Sequence, residues 1–347
     1  MQAGSINEIF RSLAPINLTL VPPIFALNFL VIVLLFKERS RYSSLLFMLI
    51  AISDVVMATS ELARGSVALT CLKDRDTPIP STLVLSYLSL GVLCYQCSIF
   101  FNLALTLLRT VQLASPFFRV NSTLLKTTLL TAPVLALCLT IGDAVCWDRA
   151  LDSTPTCFHH WVKLEAVSYL GEGVGRELRV VGGVLLHVEY SLPCLLVLVC
   201  MVVQLWFIKR GLAGESGQDT ARHASTTILL VSALNFLSNS AFVITFTLSR
   251  LRVFNLTTKY YKVLLMTVKF TLPLLNAALF PLIIILRKAS LRSELKEMFW
   301  KLLHSIRAGY TRMVTGIFGA TRFVRLQENV TEEDSETNSL QNSETKQ

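Results

Sequence analysis

Apolar residues in this chain fall in blocks. Uncharged runs cover Ile16–Phe36, Thr82–Leu108, Thr127–Gly142, Tyr190–Ile208 and Ala224–Ser249. Two further runs carry ionisable residues: Ser43–Cys71 holds Asp54, Glu61 and Arg64, and Val263–Leu286 holds Lys269. An α-helix rises 1.5 Å per residue, so about 20 residues cross a hydrocarbon layer of ~30 Å. Six of the seven runs are long enough. The fourth spans a bilayer only if it continues past Asp143 toward Trp147. None of the runs alternates with period two, and a lipid-facing sheet edge would leave backbone groups unpaired, so helices are expected. The pattern predicts an all-α membrane protein, a seven-transmembrane helix bundle.

Composition agrees. Hydrophobic residues make up 53% of 347, mean hydropathy is +0.57, and 16% of residues are charged, against about 25% in a soluble domain. The net charge of +9 would suggest nucleic acid if it lay on one polar domain. Instead the cations occupy short connections and the stretch after Arg287, which suits lipid headgroups and a cytosolic partner and excludes nucleic acid. With the amino terminus outside, nineteen Lys and Arg fall on the inner side and eleven on the outer, leaving Arg64 and Lys269 within spans. That bias predicts a multi-pass plasma-membrane protein with its carboxyl terminus in the cytoplasm. MQAGSINEIF lacks the basic start of a signal peptide, so residues 16–36 are expected to act as an uncleaved first span.

The expected organisation is a short extracellular segment over residues 1–15, the bundle over 16–286, an interfacial helix over 287–303 and a cytoplasmic tail over 304–347. In RKASLRSELKEMFWKLL, Leu291, Leu295, Met298, Phe299 and Leu302 fall on one side at helical spacing, away from Lys296 and Lys301. An amphipathic helix directly after a membrane exit belongs in the lipid interface. The end, EEDSETNSLQNSETKQ, is polar and acidic and is expected to be disordered.

Certain residues within the spans resemble those of the rhodopsin-like class of G protein-coupled receptors, across about residues 15–303. The first span has Asn28 in LNFLVIVLL and the second has Asp54 in LIAISD. The third ends in LLRTVQLASP, with Arg109 and Pro116 seven residues apart; the fifth has Pro193 in YSLPCLL, and the seventh Pro281 in FPLII. The resemblance implies that Arg109 and Pro116 serve G protein coupling and that Pro193 and Pro281 are helix hinges. It implies a sodium ion bound by Asp54, Ser98 and Asn276 with Asn28 nearby; a polar cluster satisfied by water is the alternative reading of the same residues. No other cofactor is expected. The chain also departs from the family pattern. Leu108 and Thr110 flank Arg109 in place of an acid and a tyrosine, Ser240 and Phe242 replace the sixth-span tryptophan and proline, and Phe280 and Ile284 replace the seventh-span asparagine and tyrosine. Without the neighbouring acid, Arg109 is expected to be less firmly held at rest.

The resemblance further implies an extracellular ligand and a heterotrimeric G protein as partners, with membrane lipid around the bundle. Gly91 stands where amine receptors carry an aspartate, which disfavours an amine ligand. Arg64, Lys269, His187 and Glu189 near the outer span ends are the ligand-binding candidates, with the two cations receiving an anionic group; Glu61, one turn from Arg64, is an equally good internal partner for it. The family's outer-loop disulfide has no third-span cysteine to use, since Val84 stands there. Cys71 is a substitute, paired with either Cys146 or Cys157. Asn17 and Asn255 open glycosylation sequons. Thr331, Ser335, Thr337, Ser339, Ser343 and Thr345 in the tail are phosphorylation candidates whose added charge would suit an arrestin-like partner. No HExxH, GxSxG or phosphate-cradling glycine loop occurs, so no enzymatic activity is expected. A non-signalling seven-span binding protein and a solute transporter are the alternative functions.

Overall fold

A computed structural model describes residues 3–38, 41–73, 81–115, 118, 120–148, 181, 183–211, 218–250, 264, 267–301 and 303–307. Among the described residues of the bundle, seven helices follow in order: α1 (Ala3–Phe36), α2 (Tyr42–Lys73), α3 (Ser81–Ala114), α4 (Ser122–Asp148), α5 (Leu192–Gly211), α6 (Gln218–Arg250) and α7 (Leu272–Arg287). No strand occurs among the described residues. Each helix, α7 together with residues 267–271 before it, supplies a stretch long and apolar enough to cross a membrane. The fourth reaches 27 residues, because the helix runs through Asp143 to Asp148 instead of stopping at the last uncharged position. The first begins well before residue 16 and carries Pro15, Pro22 and Pro23 inside it, which a span tolerates when neighbouring groups take up the freed carbonyls.

The molecule is a seven-span, all-α membrane protein. Its side chains are distributed inside out relative to a soluble bundle. Phe29, Leu130, Leu195, Val202, Leu237 and Ile244 are exposed, whereas Asn28, Asp54, Gln96, Asn102 and Gln204 are buried. Lipid accepts the first set, and the polar set must find partners inside the bundle. Helix α3 is central, touching α2, α4, α5 and α6, and α7 closes the ring against α1, α2 and α6. At one end of the bundle Lys288 ties the α1–α2 connection to α7: its Nζ lies 2.9 Å from Glu38 Oε2 and 3.0 Å from Ser44 Oγ.

Residues 290–347 form a separate unit. Within it, residues 290–301 and 303–307 are helical. Met298, Phe299, Leu303 and Ile306 are exposed, and Lys301 reaches Glu297 at 2.7 Å one turn away. The segment is consistent with an amphipathic helix, with Leu291 buried near its start and the later apolar residues exposed.

Candidate functional site

Two widened turns shape one end of the bundle. Residues His187–Ser191 and Thr267–Thr271 are π-helical, and they lead directly into α5 and α7. Each stands just before a proline, in YSLP and FTLP. A proline lacks the N–H that would bond the carbonyl four residues earlier, and its ring crowds that carbonyl. The carbonyls so affected belong to Glu189 and Lys269. Widening the turn accommodates the conflict: the Leu192 N–H bonds back to the His187 carbonyl, five residues away. Such π-turns recur at functional sites.

Between these turns lies a cavity of about 60 Å³, partly open to solvent, smaller than the few hundred Å³ of a typical small-molecule site. Tyr95, Tyr190 and Phe242 line its inner wall, with Glu61, Gly91 and Lys269 around them. Tyr190 meets Phe242 edge-on at 5.1 Å between centroids, and the Lys269 ammonium sits 5.8 Å from the centre of the Phe242 ring. Gly91 lies close against the Ser60 side chain of α2. A Cβ on it would come 2.6 Å from Ser60 Oγ, so the close approach of α2 leaves no room for an aspartate.

Behind the pocket lies a cluster that the sequence does not bring together. Asp143 of α4 comes within hydrogen-bonding reach of Glu189, and the Lys269 charge acts on both carboxylates. Glu189 is 2% exposed and Gln96 fully buried. The Gln96 amide is directed as a donor toward Glu189, in a contact that falls short of a full hydrogen bond at Gln96 Nε2 and Glu189 Oε1. His187, two residues from Glu189, is exposed and bonds Ser191 at 2.8 Å, so these two candidates face different ways.

Deeper in the bundle, Ser98 Oγ donates to Asp54 Oδ1 at 3.0 Å. Asn28 Nδ2 donates to the Ile24 and Ala277 carbonyls at 3.0 and 2.8 Å, joining α1 to α7, and its Oδ1 has no partner among the described residues. Asn276 is half-buried and forms none of these bonds; its neighbour Ala277 contributes the contact, through its backbone. Pro193 and Pro281 are both buried. Pro193 adjoins a π-turn, while Pro281 lies within continuous α-helix.

At the opposite end, Arg109 bonds two neutral side chains. Its Nε and Nη2 donate to Ser225 Oγ of α6 at 2.8 and 2.7 Å, and Nη1 approaches Gln112 Oε1 at 3.4 Å. Gln112 in turn accepts from Tyr42 Oη at 2.5 Å. The expectation from LLRT alone, that the missing acid leaves Arg109 loosely held, missed Ser225, 116 residues along the chain. Two more bonds join α3 to α6: Thr106 to Ser232 at 2.5 Å, and Tyr95 Oη donating to Asn239 Oδ1. Gln204 of α5 donates to the Thr106 carbonyl and to Thr110 Oγ1 at 2.9 and 3.0 Å. The signal for this seam was present in the sequence as Ser and Asn recurring through ASTTILLVSALNFLSNS, where a lipid-facing span would carry aliphatic residues.

The Asn17 side chain is buried and its Oδ1 accepts a hydrogen bond from Thr271 Oγ1 at 2.8 Å; a glycan grows from Nδ2, so it is the burial that stands against one. Pro116, Cys157, Asn255 and the tail positions Thr331, Ser335, Thr337, Ser339, Ser343 and Thr345 lie outside the described residues, as do the side chains of Arg64, Cys71 and Cys146. No group of three His, Cys, Asp or Glu side chains converges as a metal site among the described residues. The chain matches no protein-family model and no curated protein, so it stands on its geometry as a seven-span membrane bundle.

Proposed function

We propose that this protein is a receptor of the rhodopsin-like kind, which binds an extracellular ligand in the pocket between α2, α3, α5, α6 and α7 and signals to a heterotrimeric G protein. The observation that carries this reading is the α3–α6 seam, which runs from the pocket to Arg109. Tyr95 lines the pocket and bonds Asn239 of α6; Arg109, fourteen residues further along α3, bonds Ser225 of the same helix. Fourteen residues is about 21 Å of helix. A ligand that shifts Tyr95 or Phe242 therefore acts on α6 at one end, and the Arg109–Ser225 contact opens at the other. Binding energy would appear as a population shift between two seam arrangements. In this reading the amino terminus is outside, Arg109 faces the cytoplasm, and no reaction is catalysed.

Guanine-nucleotide exchange on purified G proteins, with the chain reconstituted in lipid and screened against lipid, peptide and amine pools, tests the reading. Exchange that rises with a pool and is lost in Arg109→Ala supports it. Absence of exchange with every G protein class and every pool, from protein that is folded, would reject it.

One observation favours a second reading, a solute path. Asn102 of α3 is 1% exposed, and neither its Nδ2 nor its Oδ1 has a partner among the described residues. Buried polar groups at membrane depth also line permeation routes. Flux of a solute through liposomes bearing the protein, without nucleotide exchange, would select it.

A further inference from the structure

The lipid side of α5 ends in an arginine that does not reach for water. Leu195, Val199, Val202 and Trp206 are exposed, and so is Arg210. Their spacing of three or four residues keeps all five within about 80° of one face. Trp206, 46% exposed, stands one turn before the end of its span, the depth at which aromatic rings mark the boundary between hydrocarbon and headgroups. An arginine at the end of a span ordinarily extends past that boundary. Here the Arg210 guanidinium carbon lies 4.4 Å from the centre of the Trp206 ring, one turn back along the stripe. Phe207 meets the same ring edge-on at 4.8 Å.

This placement selects what the cation meets. Contact with the Trp206 ring draws on the charge of the guanidinium and leaves N–H donors for other acceptors. Among the described residues Arg210 makes no ion pair and bonds no carbonyl of the last turn. Lys209 beside it is exposed as well. At that depth on the outer face of a bundle the abundant acceptors are lipid phosphates, and a planar guanidinium binds a phosphate through paired N–H groups. A choline headgroup brings its own cation. A headgroup of net negative charge leaves Lys209 a partner too.

We propose that Trp206, Lys209 and Arg210 form a binding site for the headgroup of an anionic phospholipid, at the Arg109 end of the bundle. Arg210 takes the phosphodiester, Lys209 the further negative charge of the headgroup, and Trp206 the glycerol and upper acyl region. Gln204 stands two residues before Trp206, about 200° around the helix. It fixes the opposite side of the same turn, its Nε2 bonding the Thr106 carbonyl and Thr110 Oγ1 at 2.9 and 3.0 Å. The ring and the guanidinium are therefore presented on a helix end that α3 already holds. With Arg109 facing the cytoplasm, the site faces the leaflet in which anionic lipid is enriched. It needs only the seven spans, and it holds whichever partner the protein signals to.

The experiment is native mass spectrometry of the full-length chain, released from nanodiscs of phosphatidylcholine with a minority of phosphatidylserine, which reads the lipids that stay bound. Phosphatidylserine should be retained in preference to phosphatidylcholine. Arg210→Gln should lower that preference about tenfold, and Lys209→Gln about fivefold. Trp206→Leu keeps both charges and an apolar face, yet should weaken retention about threefold, because the guanidinium loses its support. Lys126→Gln removes an equal charge from an exposed position near the start of α4, at the same end of the bundle, and should change nothing. Equal losses in Lys126→Gln and Arg210→Gln would mean diffuse attraction to the bilayer and would overturn the site. So would retention untouched by Arg210→Gln or by Trp206→Leu, and so would phosphatidylcholine held as firmly as phosphatidylserine.

Discussion

The two ends of α3 solve the same problem differently. At the Arg109 end a half-buried guanidinium bonds neutral oxygens of Ser225 and Gln112. At the pocket end, opposite charges face one another across α4, α5 and α7, and polar atoms of Glu189 and Gln96 are left without partners. The first arrangement is satisfied by the protein itself, as a structural contact between helices should be. The second gathers charges and under-bonded polar atoms beside the pocket. Unpaired buried groups reduce stability, and sites for ligands and ions are where such a loss brings a function.

The comparison is broken most directly at the charged end. Lys269→Ala leaves two carboxylates facing each other without their ammonium, and stability should fall by about 3 kcal/mol, read as a lowered denaturation midpoint in nanodiscs. Lys269→Ala combined with Glu189→Gln should recover most of that loss; an uncompensated double variant would mean that the ammonium and Glu189 do not interact. At the neutral end, Ser225→Ala removes both strong Arg109 contacts and should cost about 1.5–3 kcal/mol, borne by the state in which α3 and α6 are joined. If the receptor reading holds, ligand-free nucleotide exchange should therefore rise by tenfold or more at equal protein amount. Exchange unchanged from the native chain would make the contact passive. Gly91→Ala drives a Cβ against Ser60 and should destabilise by about 1–2 kcal/mol, with Ser60→Ala in the same chain restoring the midpoint. The smallest effect is expected at Ser232→Ala in the middle of the seam. Cross-helix hydrogen bonds within membranes average about 0.6 kcal/mol, and a loss well above that would show that Thr106 has no alternative acceptor. Its own i−4 carbonyl, that of Asn102 at 2.7 Å, provides one.

Much of the scaffold was legible from the chain alone, since span length and hydropathy are properties of consecutive residues. Asp54 and Arg109 stood out because a charge in an apolar run is visible without knowing its neighbours. The depth match between Asp54 and Ser98 came from counting along the pattern of the family that the chain resembles, and the structure joins the two. Asn276 shows the limit of that counting: it stands one position from Ala277, whose carbonyl makes the α7 contact, and one residue rotates a helical side chain by about 100°. The pairing of Asp143 with Glu189 was illegible for a related reason. Each residue alone reads as an interfacial charge, and only the inclination of α4 against α5 brings them together. The two π-turns did leave a trace, the repeated aromatic–Ser/Thr–Leu–Pro of YSLP and FTLP, whose prolines explain them once the carbonyl four residues back is considered.

The linear order of residues thus determined that seven helices cross a membrane, since water and hydrocarbon sort side chains according to composition over about 20 positions. Which polar groups meet inside was decided by helix rotation and tilt alone. A hydrogen bond such as Arg109–Ser225 depends on a few tenths of an ångström, between residues that the chain keeps far apart. Hydropathy averages over a window and carries no angular information between helices, so it can announce that buried polar groups need partners without identifying them.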